Sequence, residues 1–181
     1  IRYPESGFAT MSGPAAFQKL AQYHYVENAW LYAYRRELFL EHHFAYVPGC
    51  IAEDFGLTPL IIATAQTVKA IPDICYNYRQ RPNSIMSTTQ TTRLATDTMA
   101  QTQAILPQIS RLPHTEAIAH FLIASSLTIA ARLSLPEFLK IYTTAKKSQL
   151  LRHIHPSDLK ALPRALMLKH FPRLFYHLYH R

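Results

Sequence analysis

Two adjacent carboxylates, Glu53 and Asp54, are the side chains whose type and position first suggest chemistry. They follow a Pro-Gly turn at 48–49 and precede an apolar run at 57–65. Carboxylates at the start of a helix lie at the positive end of its dipole, which favours their ionised form. Two interpretations stay open: an acidic helix cap and first turn, or a general base on a loop that accepts a proton from an incoming hydroxyl.

A second polar motif lies in segment 76–84, which reads YNYRQRPNS and carries Arg79, Arg81 and Ser84. Arginine donates forked, charge-assisted hydrogen bonds to phosphate oxygens, and serine adds a further donor. The segment leaves a β-prone stretch as a polar loop, so it suits a phosphate or diphosphate. The alternative is a solvated surface turn.

The elements that must position these motifs divide into a mixed front part and a helical back part. Helices are predicted where a capping residue or proline precedes apolar residues at helical spacing. They cover residues 13–23, 27–42, a segment that starts between 54 and 58 and ends near 66, then 90–109, 114–133 and 136–148, with short helices after 157. Short strands are predicted where aromatic and β-branched residues run between prolines. These cover 44–47, 68–71 and 74–78.

Composition and charge limit the classes of function. The 181 residues are 49% hydrophobic and 17% charged with 4 Gly, which excludes a disordered or collagen-like chain. The net charge is +8, of which residues 1–80 carry −1 (6 basic, 7 acidic) and residues 81–181 carry +9 (13 basic, 4 acidic). Anionic partners are therefore expected. Two cysteines are too few for a disulfide scaffold, and the ten histidines lack zinc-site spacing, so no metal site is predicted.

An ordered set of short motifs resembles one enzyme family. The motifs are SG at 12–13, WLYAYRR at 30–36, FAYVP at 44–48, ED at 53–54, IP at 71–72 and YNYRQRPNSIMS at 76–87. In this order they resemble the C-terminal part of the catalytic domain of family 2 glycosyltransferases, in particular the bacterial enzymes that build capsular, exo- or lipopolysaccharide. The resemblance covers residues 12–87 and leaves the helical tail without a match.

This resemblance implies an α/β fold of the GT-A type over 1–88, and the helical pattern of the back part predicts an all-α helical region over 89–181. It also implies a nucleotide-diphosphate sugar donor, a saccharide or lipid-linked acceptor, inversion at the anomeric carbon, and Mg or Mn. The matching positions suggest roles for seven residues. They are Asp54 as catalytic base with Glu53 beside it, Arg79, Arg81 and Ser84 at the donor diphosphate, and Trp30 and Tyr34 beside the acceptor. For Trp30 and Tyr34 the alternative is packing in the core, because they share one face of the predicted helix.

The family's nucleotide-binding front half and its Asp-x-Asp motif do not occur in these 181 residues. The resemblance therefore implies a C-terminal fragment that is inactive alone, with most metal ligands on the missing half. The alternative function is a non-enzymatic basic helical module that binds nucleic acid or a protein partner. No recognised nucleic-acid motif supports that alternative, and the enzyme hypothesis includes no nucleic acid.

The basic tail suggests where the protein works. Residues 140–181 carry 9 Lys plus Arg against one acid, Asp158, interleaved with leucines and aromatic residues. This pattern suits an anionic membrane surface, and it also suits a helical cap over the core. Because no apolar run approaches the length of a membrane span, we expect a cytoplasmic protein, with peripheral attachment to the inner face of the membrane through this tail.

Overall fold

A computed structural model of the chain describes residues 8–23, 26–79, 91–110, 115–155 and 161–180. Within them the chain forms eight α-helices. These are α1 (Gly13–Ala21), α2 (Arg36–His42), α3 (Asp54–Thr64), α4 (Thr91–Ile109), α5 (Thr115–Ala130), α6 (Leu135–Lys147), α7 (Leu162–His170) and α8 (Pro172–Tyr179). Two short 3-10 helices, Ala29–Leu31 and Leu150–His153, complete the regular structure of these segments.

The predicted α/β fold of the front part is wrong. Among the described residues the β pairing is one isolated antiparallel bridge between Met11 and Val68, with N···O distances of 3.0 and 2.8 Å. The expected strands at 44–47 and 74–78 are irregular, and 68–71 contributes that bridge alone. The Phe44 and Tyr46 rings pack against Phe39 of α2, each 6.2 Å between centroids, instead of lying in a sheet.

The predicted helices are confirmed to within a few residues for α1, α3, α4, α5 and α6. The helix predicted at 27–42 is wrong in part, because it divides into the 3-10 helix Ala29–Leu31, an extended segment, and α2. Asn28 and Tyr32 flank the 3-10 helix with extended backbone angles. Arg35, directly before α2, is extended as well, so the chain leaves the helical conformation between Tyr32 and Arg35.

Two clusters of buried side chains form the core of the described segments. In the first, α1 and α3 pack on the C-terminal half of α4 and the start of α5, with Leu60, Ile61 and Leu122 almost fully buried. In the second, α4 and α5 pack on α6, α7 and α8 around Phe138 and Phe175. Helices α4 and α5 contribute to both clusters, and the division at residue 88 stays a prediction.

Helix α3 carries the acid pair at its first turn and is buried along most of its length. Its residues 55–62 are all buried, which explains why it is apolar on every side. Gly13 at the start of α1 lies against its C-terminal end and donates its N–H to the Ala65 carbonyl at 3.0 Å. The helix that positions Asp54 is therefore held from both ends.

None of the helices in the described segments has the length and apolar character needed to cross a bilayer.

Candidate functional site

The Asp54 carboxylate holds the 3-10 helix that begins at Ala29. Its Oδ2 atom accepts the Ala29 N–H at 3.0 Å, and the Ala29 carbonyl accepts the Tyr34 hydroxyl at 3.4 Å. Both backbone groups of Ala29 are thus bonded to side chains from the predicted site. Burial and the neighbouring Tyr46 raise the pKa of the Tyr34 phenol above its usual range, so Tyr34 stays neutral.

A second carboxyl group, Glu27, lies close enough to Asp54 for the charge of Asp54 to raise the pKa of Glu27. Burial, reinforced by Asp54, raises the pKa of Glu27 from 4.5 to about 7, although a hydrogen bond from Ser125 of α5 opposes the shift. Burial also raises the pKa of Asp54, while the Ala29 N–H lowers it and Glu53 raises it further. Two carboxyl groups in one half-buried place are a recurring feature of acid–base sites.

Sequence reasoning missed Glu27 and expected the helix dipole to favour ionised Asp54. The structure gives the opposite direction for Asp54, because desolvation outweighs the favourable helix start. The sequence did contain a signal for Glu27, because it lies three residues before Trp30, which begins the motif expected beside the acceptor. Glu53 occupies the N-cap position and Asp54 lies in the first turn, as the cap interpretation predicts, although Glu53 makes no side-chain cap bond to the described residues.

An exposed aromatic cluster lies next to this carboxyl pair. The Trp30 ring stacks on Tyr78 with centroids 4.9 Å apart and planes at 17°, and it contacts Tyr76 at 5.0 Å. Tyr76 is 53% exposed and Tyr78 is 42% exposed. Trp30 directly follows Ala29, the residue whose N–H Asp54 binds, so segment 76–78 packs on the residue next to the one that the acid holds.

Arg79 follows Tyr78 directly, and its side chain is exposed. Asp54 and Arg79 are therefore linked only through a series of neighbours, in which Ala29 precedes Trp30 and Tyr78 precedes Arg79, and the described contacts include none between the two side chains themselves. Arg81 and Ser84 lie outside the described residues. Trp30 and Tyr34 both lie beside Asp54, although the helix predicted to carry them does not form.

The turn that precedes the acid pair is held by side chains of α4. Asp97 accepts the Ile51 N–H at 2.9 Å. The buried Gln101 donates its Nε2 to the Ala52 carbonyl at 2.8 Å, and its Oε1 accepts the Gly56 N–H at 3.4 Å. Backbone groups on both sides of the acid pair are thus satisfied by one glutamine.

Arg93 extends this support by one helical turn. Its guanidinium donates to the Gly49 carbonyl at 2.7 Å and lies 3.5 Å from Asp97. The turn needs such support because Gly49 (φ 78°) and Ala52 (φ 55°) both adopt the left-handed region, which is costly for alanine. Sequence reasoning missed these three residues, although their spacing of four along α4 places them on one helical face.

Glu53 faces a different part of the surface from Asp54. It lines a cleft of about 180 Å³ between the segment after α2, the first turn of α3, and α4. The polar residues lining this cleft are His43, Glu53, Gln101 and Gln108. The predicted catalytic neighbours are thus directed apart, with Asp54 toward Ala29 and Glu53 toward the cleft.

The described segments contain no group of three or more His, Cys, Asp or Glu side chains arranged to hold a metal ion. The Mg or Mn of the proposed family therefore has no ligand set among these residues, and no chemical step at this site is assigned to it. Comparison of the chain with protein-family models, curated proteins and solved structures finds no match.

Proposed function

We propose that this chain forms the acceptor side of an inverting glycosyltransferase. The enzyme would transfer a sugar from a nucleotide-diphosphate donor to a hydroxyl of a cell-surface polysaccharide or a lipid-linked acceptor. One observation carries the proposal: the half-buried Asp54 carboxylate binds the Ala29 N–H directly before Trp30, and the Trp30 ring stacks on the exposed aromatic segment that leads into Arg79. The proposal does not include an α/β fold for the described residues.

Asp54 is the general base of the proposed reaction. The acceptor oxygen forms a bond to the anomeric carbon, its proton passes to the Asp54 carboxylate, and the bond from that carbon to the donor diphosphate breaks. The electron pair of the broken bond leaves with the diphosphate. A raised pKa makes the ionised carboxylate a stronger base.

Glu27 controls the charge beside that base. Because burial raises its pKa to about 7, Glu27 keeps its proton at pH values where an ordinary glutamate is ionised. A protonated Glu27 removes the like charge next to Asp54 and thereby favours the ionised form that accepts a proton. The two groups thus divide the roles of neutral neighbour and charged base.

The aromatic cluster suits a sugar ring. Binding sites for small molecules combine aromatic surfaces with a few placed polar groups. Here the exposed faces of Tyr76 and Tyr78 offer flat apolar area to the C–H face of a saccharide, and the carboxyl pair offers acceptors for its hydroxyls. Arg79, at the end of the same segment, would neutralise the departing diphosphate by charge-assisted hydrogen bonds.

The donor's nucleotide site and the metal belong to a separate donor-binding half in this proposal. Mg or Mn would neutralise the diphosphate there. We also place the enzyme in the cytoplasm, with peripheral attachment to the inner face of the membrane, where a lipid-linked acceptor is within reach.

The test is Asp54→Asn in the enzyme assembled with its donor-binding half, assayed by release of nucleotide diphosphate. Asparagine keeps an oxygen for the Ala29 N–H, so the site should stay assembled while the base is lost. We expect turnover to fall about 10²- to 10⁴-fold with donor binding retained. Asp73→Asn, at an exposed position, is the matched control and should leave turnover unchanged. Near-normal turnover of Asp54→Asn would remove this residue from the base role.

A paired test separates donor recognition from proton transfer. Arg79→Ala should raise the KM for the donor, because a charged hydrogen-bond donor to the diphosphate is lost. Arg132→Ala, at an exposed position in the back part, serves as its control. An unchanged dependence of the rate on donor concentration counts against the assignment of Arg79.

A further inference from the structure

Helices α7 and α8 each present an apolar row that the described part of the chain leaves uncovered. On α8 the row consists of Phe171, Leu174 and Leu178, which are 58%, 51% and 58% exposed. Their spacing of three and four residues places them on one side of the helix. On α7, Leu162 and Leu166 are 37% and 44% exposed and lie one turn apart.

The opposite sides of both helices are fixed to the core, so these rows are held in place. Phe175 is fully buried against Phe138. The Tyr176 hydroxyl donates to the Leu133 carbonyl at 3.0 Å, and the Tyr142 hydroxyl donates to the Lys169 carbonyl at 2.9 Å. Because the opposite sides of α7 and α8 already pack on the core, the exposed leucines face outward, and the helices do not need to turn or detach to present them.

The charged residues of the segment that carries these rows have one sign. Residues 161–181 contain Arg164, Lys169, Arg173 and Arg181, three histidines, and no Asp or Glu. Arg173 and His177 are exposed on α8, next to the apolar row. Helix α6, which packs against α8, carries three exposed lysines, at 140, 146 and 147, and one exposed acid, Glu137.

We propose that the outer faces of α7 and α8 bind an anionic lipid surface. Exposed leucines and a phenylalanine would enter the boundary between headgroups and acyl chains, while the cations contact lipid phosphates. This inference stands on the tail alone and does not depend on the sugar-transfer proposal.

Two other occupants fit this face less well. A second copy of the chain would bring cations against cations, since no acid lies within 161–181 to pair with them. Nucleic acid would engage the cations, but leucine rows contribute nothing to a phosphate backbone, and single-stranded bases stack on aromatic rings instead. A lipid surface uses both the leucines and the cations.

The experiment is flotation of the 181-residue chain with vesicles of phosphatidylcholine alone and of phosphatidylcholine with phosphatidylglycerol. We expect binding to the anionic vesicles, weakened by salt, and little binding to the neutral ones. The double variant Leu174→Ser, Leu178→Ser should lower the anionic partition coefficient about tenfold or more. Arg173→Gln should lower it about fivefold.

The matched control is Leu40→Ser, because Leu40 of α2 is 59% exposed and lies outside the tail. It should bind as the unaltered chain does, and circular dichroism should show all variants folded. The proposal is overturned by equal binding to both vesicle types, by no binding, or by unchanged binding of the double variant. Dimers in solution that the double variant abolishes would instead assign the face to self-association.

Discussion

Glu27 should make the stability of the protein fall as the pH rises. Its pKa is about 7 in the folded chain against an ordinary 4.5. A carboxyl group whose pKa is raised by folding stabilises the folded state fully below 4.5, and this contribution is lost as the pH rises through 7. The difference in pKa corresponds to about 3 kcal/mol of unfolding free energy between those limits.

The variant Glu27→Gln isolates this effect, because glutamine keeps the shape and hydrogen-bonding capacity of the protonated acid. Urea unfolding at pH 4.5 and at pH 8 gives the free energy of unfolding of both proteins. We expect the two to be similar at pH 4.5 and the variant to be more stable at pH 8, by up to about 3 kcal/mol.

Other titrations complicate the pH profile of either protein taken alone, so the difference between the proteins is the quantity to measure. Burial lowers the pKa of His120, which makes stability rise with pH below its ordinary 6.5 and opposes the effect of Glu27. The raised pKa of Asp54 acts in the same direction as that of Glu27. Glu41→Gln, at an exposed position of α2, is the matched control. If Glu27→Gln and Glu41→Gln show the same pH profile, Glu27 is not desolvated beside Asp54.

Two further predictions concern the helices around the site. Gly13→Ala should lower the free energy of unfolding in urea by about 1–3 kcal/mol, because the added Cβ would overlap carbonyl oxygens at the end of α3. Gly56→Ala is the control: its added Cβ would lie 3.4 Å from the nearest atom, so the free energy of unfolding should change by less than about 1 kcal/mol. Equal changes in the free energy of unfolding for the two variants would show that Gly13 of α1 does not closely contact the end of α3. Gln101→Leu should lower the free energy of unfolding by about 1–3 kcal/mol and speed amide exchange at 51–56, because buried backbone groups lose their hydrogen-bond partners. Gln108→Leu, at an exposed position of α4, should change neither quantity. Unchanged amide exchange in Gln101→Leu would contradict the support that we assign to α4.

The helices were predictable because their signals are local. Ser12 followed by a proline marks the start of α1, and Ser134 with Glu137 forms a capping box at the start of α6, with Oγ and Oε2 2.6 Å apart. Such signals lie within a few residues of the element that they begin. The positions of α1, α3, α4, α5 and α6 therefore followed from the sequence.

The failed predictions depended on distant partners. Strand propensity at 44–47 needs a neighbouring strand, and the aromatic side chains of this segment pack on Phe39 instead. The helix predicted at 27–42 is interrupted where Tyr32 and Arg35 adopt extended backbone angles and the Tyr32 and Tyr34 side chains pack against the core around α3. Glu27 belongs to none of the sequence motifs. Its raised pKa comes from burial and from Asp54, 27 residues away, and neither cause can be seen in the local sequence.

The support that α4 gives to the acid turn sets a boundary for protein engineering. Every family-like motif precedes residue 88, so a chimera cut there would retain the whole set while discarding Arg93, Asp97 and Gln101. The carbonyls and amides of the turn would then face solvent, and its left-handed residues would relax. Grafts of this region onto another scaffold should therefore carry the chain through residue 109, so that the acid pair and the helix that shapes it move together.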